Sequence, residues 1–505
     1  MNKKFKALFI YTNPRSMSLV PTVVPLFYSI LKKANIEMQL FDTSLYDVTK
    51  KSINADNYKE KIMAVKPYQQ ELKEKIGELR DIKFIEKDLK KKLADFLPDL
   101  IMVTATESSF LYTVDLLKKI KSFDIPVLLG GVFASFASDI AISYDEIDMI
   151  CIGEAEEIIV PLCERLRDKK DLSVVMPNLW YKKKNGSIVK GSLVSPIDIN
   201  RNPLVDMSIF ENRRFYRAMA GKVYRMFPVE THRGFPHICA FCNSPLQNKL
   251  YRDETKSNYF RAKRISLVIE EIIYYHRKCH AEYLFFWADN FMAYGEREID
   301  EFCEAYSGIK LPFYVQSHPH QLSDYKIKKL KKVGLHRVGI GVEHGNEDFR
   351  KRIVNRFYSN EKLLEGVKVL HKHGIPFSAN NICGFPTETP ELVMDTVELN
   401  RKLKAHTNSC SIFTPFFGTP LRKLAVEKGF LKDPGIIAPT NTESSILDMP
   451  QFTKDQISGK ARTFNMYVYF PKNRWVEIAK AEKMTIEGDK IWKELRAEYQ
   501  KKYGS

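Results

Sequence analysis

Cys239 and Cys242 are the only two of the eight cysteines close enough in sequence to bind one centre together. Thiolates separated by two residues converge on a single metal ion or cluster, because the short loop between them folds both sulfurs inward. They lie in the segment 229–245, VETHRGFPHICAFCNSP. Taken alone, the pair supports half a zinc site, a redox couple or part of an iron–sulfur site. Two small buried hydrophobes that happen to be neighbours is the blander alternative.

Further polar residues stand where apolar runs stop. Asp289 and Asn290 follow YLFFWA, Glu343 ends RVGIGVE, and His318 and His320 follow FYVQS. A helical pattern over 266–280 precedes the first of these runs, and others end near Gly334 and Gly374. The last strand is expected near 410–414, before Pro415 and Gly418-Thr419-Pro420. Parallel strands alternating with helices, with polar residues and glycines after each strand, predict a full or partial β/α barrel. Its active site is expected at the carboxyl ends of the strands. There His318 and His320 suit substrate contact or polar lining better than metal ligation. His276, Cys279 and His280 fall at a helix end, where capping or surface roles suit them.

The elements in front of the barrel read differently. Short apolar runs at 7–11, 38–41, 100–103, 127–129 and 149–152 alternate with helical patterns such as 23–34 and 112–122. Continuous apolar runs suit strands buried on both faces, so residues 1–165 are expected to form a doubly wound sheet of about five strands. The Lys/Glu-rich stretch 54–92 reads as an inserted helical excursion. Ligands of such sheets bind beyond the carboxyl ends of the strands, here at Thr12-Asn13, 105–109, Gly130-Gly131-Val132 and Gly153-Glu154. The small residues of TATESS, GGVFAS and IGEAEE either leave room for a flat ligand or simply make tight turns.

Residues 166–225 read as a connector. It carries a hairpin with Asn185-Gly186 at its turn and a Pro/Asn-bearing linker at 196–203. Residues 431–505 form an extension with a break at Pro471 and a charged amphipathic helix over 478–503, either a cover for the barrel or a stabilising cap.

The length of 505 residues and a hydrophobic content of 44% allow two or three domains. Apolar runs are too short to cross a bilayer, and MNKKFKALFIYTNP stops at Asn13-Pro14, which argues against a secretory signal. Scattered cysteines point to a reducing, cytoplasmic compartment. The net charge of +17 attracts anionic partners, an anionic substrate among them. The absence of an aromatic–basic module argues against nucleic acid.

Four motifs converge on one resemblance. ADNF, GVEHGNE, NICGFPTET and TPFFGTPL, in this order along the chain, make the region 226–430 resemble the core of the radical S-adenosylmethionine (SAM) family. LLGGVFASF and IGEAEE resemble the cobalamin-binding domain that stands in front of some of these cores, in class B radical SAM methyltransferases. The fold implied is α/β: an N-terminal doubly wound cobalamin-binding-like sheet, a partial, TIM-like radical SAM barrel and a mostly helical C-terminal extension. The resemblance implies a 4Fe–4S cluster, SAM and cobalamin as cofactors. Cys239 and Cys242 would then be iron ligands; Asp289 and Asn290 would meet the amino-acid end of SAM, Glu343 its ribose, and Ile382 and Gly384 its adenine. Cobalamin would lie against Thr106, Ser108, Gly130, Gly131, Gly153 and Glu154. The first histidine of the chain is His232, so the sheet offers cobalt no imidazole and the histidine-free mode is implied.

The implied reaction is methylation of an unactivated carbon through a 5′-deoxyadenosyl radical, with an external electron donor such as flavodoxin or ferredoxin. Rearrangement, cyclisation or oxidoreductase chemistry is the alternative. The sequence departs from the family at Phe235, where the first of three cluster cysteines is expected. Three explanations stand open: another ligand among His232, His237, Cys383 and Cys410 completes the cluster; the chain is a cluster-deficient, non-catalytic binder; or Phe235 is a variant of an otherwise intact sequence.

Overall fold

The computed structural model describes residues 4–13, 19–47, 62–63, 69–170, 174–438 and 444–503. The first sheet contains β1 (Lys6–Tyr11), β2 (Glu37–Asp42), β3 (Leu100–Thr104), β4 (Val127–Gly130), β5 (Met149–Cys151), β6 (Leu179–Lys182) and β7 (Ile188–Lys190). Their spatial order is β2-β1-β3-β4-β5-β6-β7. The first five run parallel, and β1 and β3 to β5 are buried on both faces, as continuous apolar runs require. The chain reverses its direction of winding between β1 and β3, which opens a crevice beyond their carboxyl ends.

The hairpin expected in a connector is instead the antiparallel edge of this sheet, with Cys151 paired to Leu179 and Trp180 to Lys190. β5 spans only three residues, and the hairpin covers its otherwise open side. Lys190 lies 3.8 Å over the Trp180 ring, a charged cover for the new edge. Of the expected excursion at 54–92, residues 54–61 and 64–68 lie outside the described residues. The described part holds helices Gln69–Ile76 and Ile85–Phe96.

The second sheet contains β8 (Tyr216–Met219), β9 (Lys222–Glu230), β10 (Tyr283–Trp287), β11 (Phe313–Ser317), β12 (Leu335–Glu343), β13 (Phe377–Cys383) and β14 (Thr407–Ile412), in that order. β8 pairs antiparallel with β9, and β9 to β14 form six parallel strands. The result is a partial barrel that ends at β14. β14 ends at Ile412, not Thr414, because Pro415 and Gly418 turn the chain into the helix Pro420–Glu427.

The extension is three helices, Lys454–Tyr469, Trp475–Ala481 and Ile486–Tyr503. The tail expected as one helix is thus broken between Ala481 and Ile486. Arg462 compensates for the break, donating to the carbonyls of Ala481 (3.0 and 2.6 Å) and Lys483 (2.7 Å). The first helix of the extension packs against β14. Asn465 donates to Asn408 O of β14 (3.1 Å), and Arg401 of the preceding helix Pro390–Leu403 donates to Tyr467 O, Val468 O and Phe470 O, so the extension caps the barrel's last strand and the helix before it.

Candidate active site

The cysteine loop leaves β9 at Glu230 and runs into the helix Ser244–Thr255. A short antiparallel pairing of His232 with Ala262 and Arg233 with Arg261 anchors its start. Cys239 is buried and Cys242 half-buried, and the Ser244 amide donates to Cys242 Sγ at 3.4 Å. Burial pushes both thiols up, Cys242 to about 12, so each needs a metal or a cation to become a thiolate at neutral pH. The nearby charge of Arg356 favours the thiolate of Cys239.

Arg356 is itself held by Glu343, Nη1 to Oε1 2.9 Å, and donates to Gly341 O at 3.0 Å. Glu343 adopts φ +63° at the end of β12, an uncommon conformation for a residue with a side chain. Burial raises its carboxyl pKa, and Arg356 opposes the rise. Among the expected SAM contacts, Glu343 therefore sits beside the cysteines with one partner already in place.

Asp289 keeps an accessible carboxylate inside the cleft, hydrogen-bonded by the Ser244 hydroxyl. The cleft walls raise its pKa by desolvation, with Ser244 acting in the opposite sense. Asn290 is buried and bridges strand ends: its amide nitrogen donates to Gln321, and its carbonyl accepts the His318 amide at 3.3 Å. Ile382 is partly buried against the apolar cluster of the C-terminal extension. A Cβ on Gly384 would meet Ile457 Cγ2 at 3.0 Å, so the close approach at Gly384 is to the extension's helix.

A cavity of about 450 Å³ joins the two sheets. Phe9, Met102, Gly130, Gly131, Gly153 and Glu154 line it from the first domain, and Asn243, Ser244, Gln247, Trp287 and Asp289 from the barrel. Trp287 is half exposed, and the buried Gln247 Oε1 has no hydrogen-bond partner. The structure therefore brings four of the six expected cobalamin contacts to the same space as Asp289. Thr106 and Ser108 are not among its lining: Thr106 caps the helix Glu107–Lys118, and Ser108 Oγ lies 3.1 Å from Thr106 Oγ1. Gly131 has φ +96°, and a Cβ there would stand 2.6 Å from Ala105 O, so this glycine first serves the contact between neighbouring strand ends.

Two buried ionic clusters lock the domains around the cavity. Glu154 accepts from Arg233 (2.9 Å), Arg261 (2.6 Å) and the Ile197 amide (3.0 Å), while Arg233 also meets Glu156 (2.5 Å) and Glu230 (3.0 Å). Burial works against the charge of Glu154, but Arg261 and Arg233 outweigh it and hold the carboxyl below its usual range. On the other side Glu107 accepts the amides of Phe417 (2.8 Å) and Ala438 (2.9 Å) and faces Arg422 at 3.4 Å. Sequence reasoning missed Glu107 and Arg261, whose charged partners lie more than a hundred residues away, and also Arg233 and Arg356, although Glu230 and Glu343 stand 3 and 13 residues from them. The FFGTP turn, which it did single out, is where Glu107 docks.

The residues considered for the gap at Phe235 have separate fates. Cys383 and Cys410 are buried in an apolar cluster, where neighbouring Cys410 and burial raise the Cys383 thiol pKa. His232 is enclosed by Phe260 and Tyr294 and shares a 3.0 Å hydrogen bond with Thr231. His237 stacks on His318, with ring centroids 4.1 Å apart, and contacts His320 edge-on. Burial lowers the pKa of all three, that of His237 to about 4, and the charge of Arg356 acts in the same direction. Among the described residues, no third His, Cys, Asp or Glu groups closely with both cysteine sulfurs.

A thiol pair lies in the loop after the first parallel strand of the partial barrel, beside the cleft of Asp289, and residues 229–399 match the model of the radical SAM superfamily. Over 398 residues it is 25% identical to an uncharacterised methyltransferase of Pyrococcus horikoshii, covering 76% of this chain and 83% of the relative. It is 24% identical over 342 residues to an anaerobic magnesium-protoporphyrin IX monomethyl ester cyclase of Rubrivivax gelatinosus, covering 66% of this chain and 59% of that protein. Among solved structures, the radical SAM methyltransferase TsrM of Kitasatospora setae, with cobalamin and a 4Fe–4S cluster bound, superposes with TM-score 0.62 and 16% identity, covering 85% and 79% of the two chains. The cobalamin-dependent radical SAM enzyme OxsB, with aqua-cobalamin and SAM bound, gives TM-score 0.66 and 12% identity over 99% of this chain and 72% of that one. The expected fold, a sheet domain followed by a radical SAM barrel, is therefore the observed one.

Proposed function

We propose that this chain is a cobalamin-dependent radical SAM enzyme that methylates an unactivated carbon of its substrate. The carrying observation is the cavity that joins the carboxyl edge of the first sheet to the cysteine loop and Asp289. It adjoins the crevice where doubly wound sheets bind ligands, and its other wall is the mouth of the barrel. The small residues at Gly130, Gly131 and Gly153, the exposed Trp287 face and the unpartnered Gln247 oxygen fit a flat polar ligand such as cobalamin. Asp289 suits the ammonium of SAM. Glu343 offers the ribose hydroxyls the acceptor capacity that Arg356 leaves unused.

The donor set for the cluster fits only in part. Cys239 and Cys242 would hold two irons, and Phe235 offers nothing to a third. When bound, the cluster and SAM supply the radical that opens a carbon–hydrogen bond, and cobalamin carries the methyl group. The protein's own part is to hold the two domains in register through Glu154 and Glu107. Among the described residues no helix is long and apolar enough to cross a membrane. The net charge of +17 favours an anionic substrate and an acidic electron donor of the flavodoxin or ferredoxin kind.

Anaerobic reconstitution with iron and sulfide tests this reading. Near four irons per chain, with a spectral change on adding SAM, supports it; a chain that retains no iron refutes it. Phe235 itself favours a second reading, a cluster-deficient protein that binds cobalamin or SAM without catalysis. A stable cluster in Phe235→Cys that the parent lacks supports that second reading.

A further inference from the structure

Three histidines from two separate stretches of chain meet at the mouth of the barrel. His237 comes from the cysteine loop, His318 from the end of β11, and His320 from the short turn Pro319–Gln321 that follows it. One ring nitrogen from each lies within 4.8 Å of the other two, and no other set of three or more His, Cys, Asp or Glu groups this way among the described residues. His318 and His320 are 4.3 Å apart between ring centroids. Two of the rings carry an unsatisfied nitrogen: His237 Nε2 and His318 Nδ1 are buried without a hydrogen-bond partner. Polar lining would occupy these atoms, since a buried ring nitrogen left unpaired costs its desolvation free energy. A ligand that accepts electron pairs from all three removes that cost at once.

We propose that His237, His318 and His320 form a site for one divalent transition-metal ion, held through three imidazole nitrogens and distinct from the Cys239–Cys242 pair. Nitrogen ligands on tetrahedral Zn²⁺ at about 2.0–2.1 Å lie roughly 3.3 Å from one another, so closing the site needs movements of about 1.5 Å or less together with a turn of the His237 ring out of its stack on His318, because the lone pairs lie in the ring planes. The exposed His320 has the freedom to make them. Three neutral imidazoles and no carboxylate select Zn²⁺, Co²⁺, Ni²⁺ or Fe²⁺ over Mg²⁺ and Ca²⁺. Arg356 and Arg350 are the nearby positive charges that oppose a cation; the 2.9 Å pair with Glu343 offsets Arg356, and Arg350 acts on His318 more weakly. Three protein ligands leave open coordination positions, the pattern of catalytic rather than structural metal sites. The expectation of substrate contact or polar lining for His318 and His320 considered one strand end alone, and His237, some eighty residues away in sequence, adds the third ring of the proposed set.

The test is a Co²⁺ titration of the full-length chain, free of a histidine tag, stripped of iron and metal under anaerobic conditions, and followed by visible absorption. Expected is one Co²⁺ per chain with d–d bands and no sulfur-to-cobalt charge transfer. Binding should persist in the Cys239→Ala/Cys242→Ala double variant. It should weaken at least tenfold in His320→Ala and in His318→Gln, each checked for an unchanged melting curve. Because His320 is exposed, His320→Ala keeps the test decisive if His318→Gln unfolds. Undiminished binding in His320→Ala, loss of binding in the cysteine double variant, or a thiolate charge-transfer band overturns the proposal. The outcome does not depend on the cluster, so failure here leaves the proposed radical SAM function standing, and failure of iron reconstitution leaves this site standing.

Discussion

Glu154→Ala should unlatch the two domains on the side of the cavity that carries Arg233 and Arg261. Glu154 is 8% exposed and receives two guanidinium groups and one backbone amide. Arg233 retains Glu230 and Glu156 after the substitution, so Arg261 is the charge left without a carboxylate. Removing one partner of a buried ion pair costs about 3–5 kcal/mol, and the retained donation of Arg261 to Ile197 O argues for the lower end. At about 2–4 °C per kcal/mol for a domain of this size, the apparent Tm should fall by about 6–12 °C at a fixed scan rate. Glu154→Gln, which keeps an acceptor oxygen, should fall less. Because the folded pKa of Glu154 lies below its unfolded value, its contribution is present above about pH 4.3 and lost as pH falls through the folded value. The gap between parent and variant should therefore narrow on acidification. Differential scanning fluorimetry from pH 7.5 downward, with the exposed Glu157→Ala as control, reads both effects. A Glu154→Ala melting point equal to that of the control would show that the cluster does not hold the domains.

The opposite latch makes a local prediction. Glu107→Ala leaves the amides of Phe417 and Ala438 without an acceptor, and amide hydrogen exchange over 415–420 should accelerate at least tenfold, while exchange in β10 stays unchanged. Uniform acceleration would assign Glu107 a global role instead. Gly384→Ala meets Ile457 and a positive backbone angle, so a stability loss of about 1–3 kcal/mol is expected in urea melts. SAM affinity by equilibrium dialysis should stay within about twofold if Gly384 serves the extension's helix, and a tenfold loss would return it to the adenine site.

How much of this was legible in the sequence follows from the range of the forces involved. The strands at 7–11, 100–103 and 283–287 announce themselves because a strand buried on both faces must be apolar throughout. The turns that follow them carry polar and small residues because the barrel concentrates its chemistry there, so Asp289 and Glu343 could be placed beside the cysteines. Pairing partners are another matter. The hairpin at 179–190 reads as a hairpin from Asn185-Gly186, but nothing local says that β6 adds to β5. Glu154 finds Arg261 and Glu107 finds Arg422 across more than a hundred residues, and only the docked domains show why either is charged. Gly384 looked like room for adenine, whereas its nearest neighbour is Ile457; Gly131, read as ligand space or a tight turn, both lines the cavity and meets Ala105 O. The gap at Phe235 was plain in the sequence, and the described residues close it with no third thiol.

The proposed role of Cys239 and Cys242 is to support SAM-dependent radical chemistry beside the cavity between the domains. The most direct measurement incubates the anaerobically reconstituted chain with SAM, cobalamin and a low-potential reductant, and quantifies 5′-deoxyadenosine and S-adenosylhomocysteine by mass spectrometry. Formation of either product in the parent at least tenfold above Cys239→Ala/Cys242→Ala is the expected result. Equal, background amounts from the parent and the double variant would contradict it.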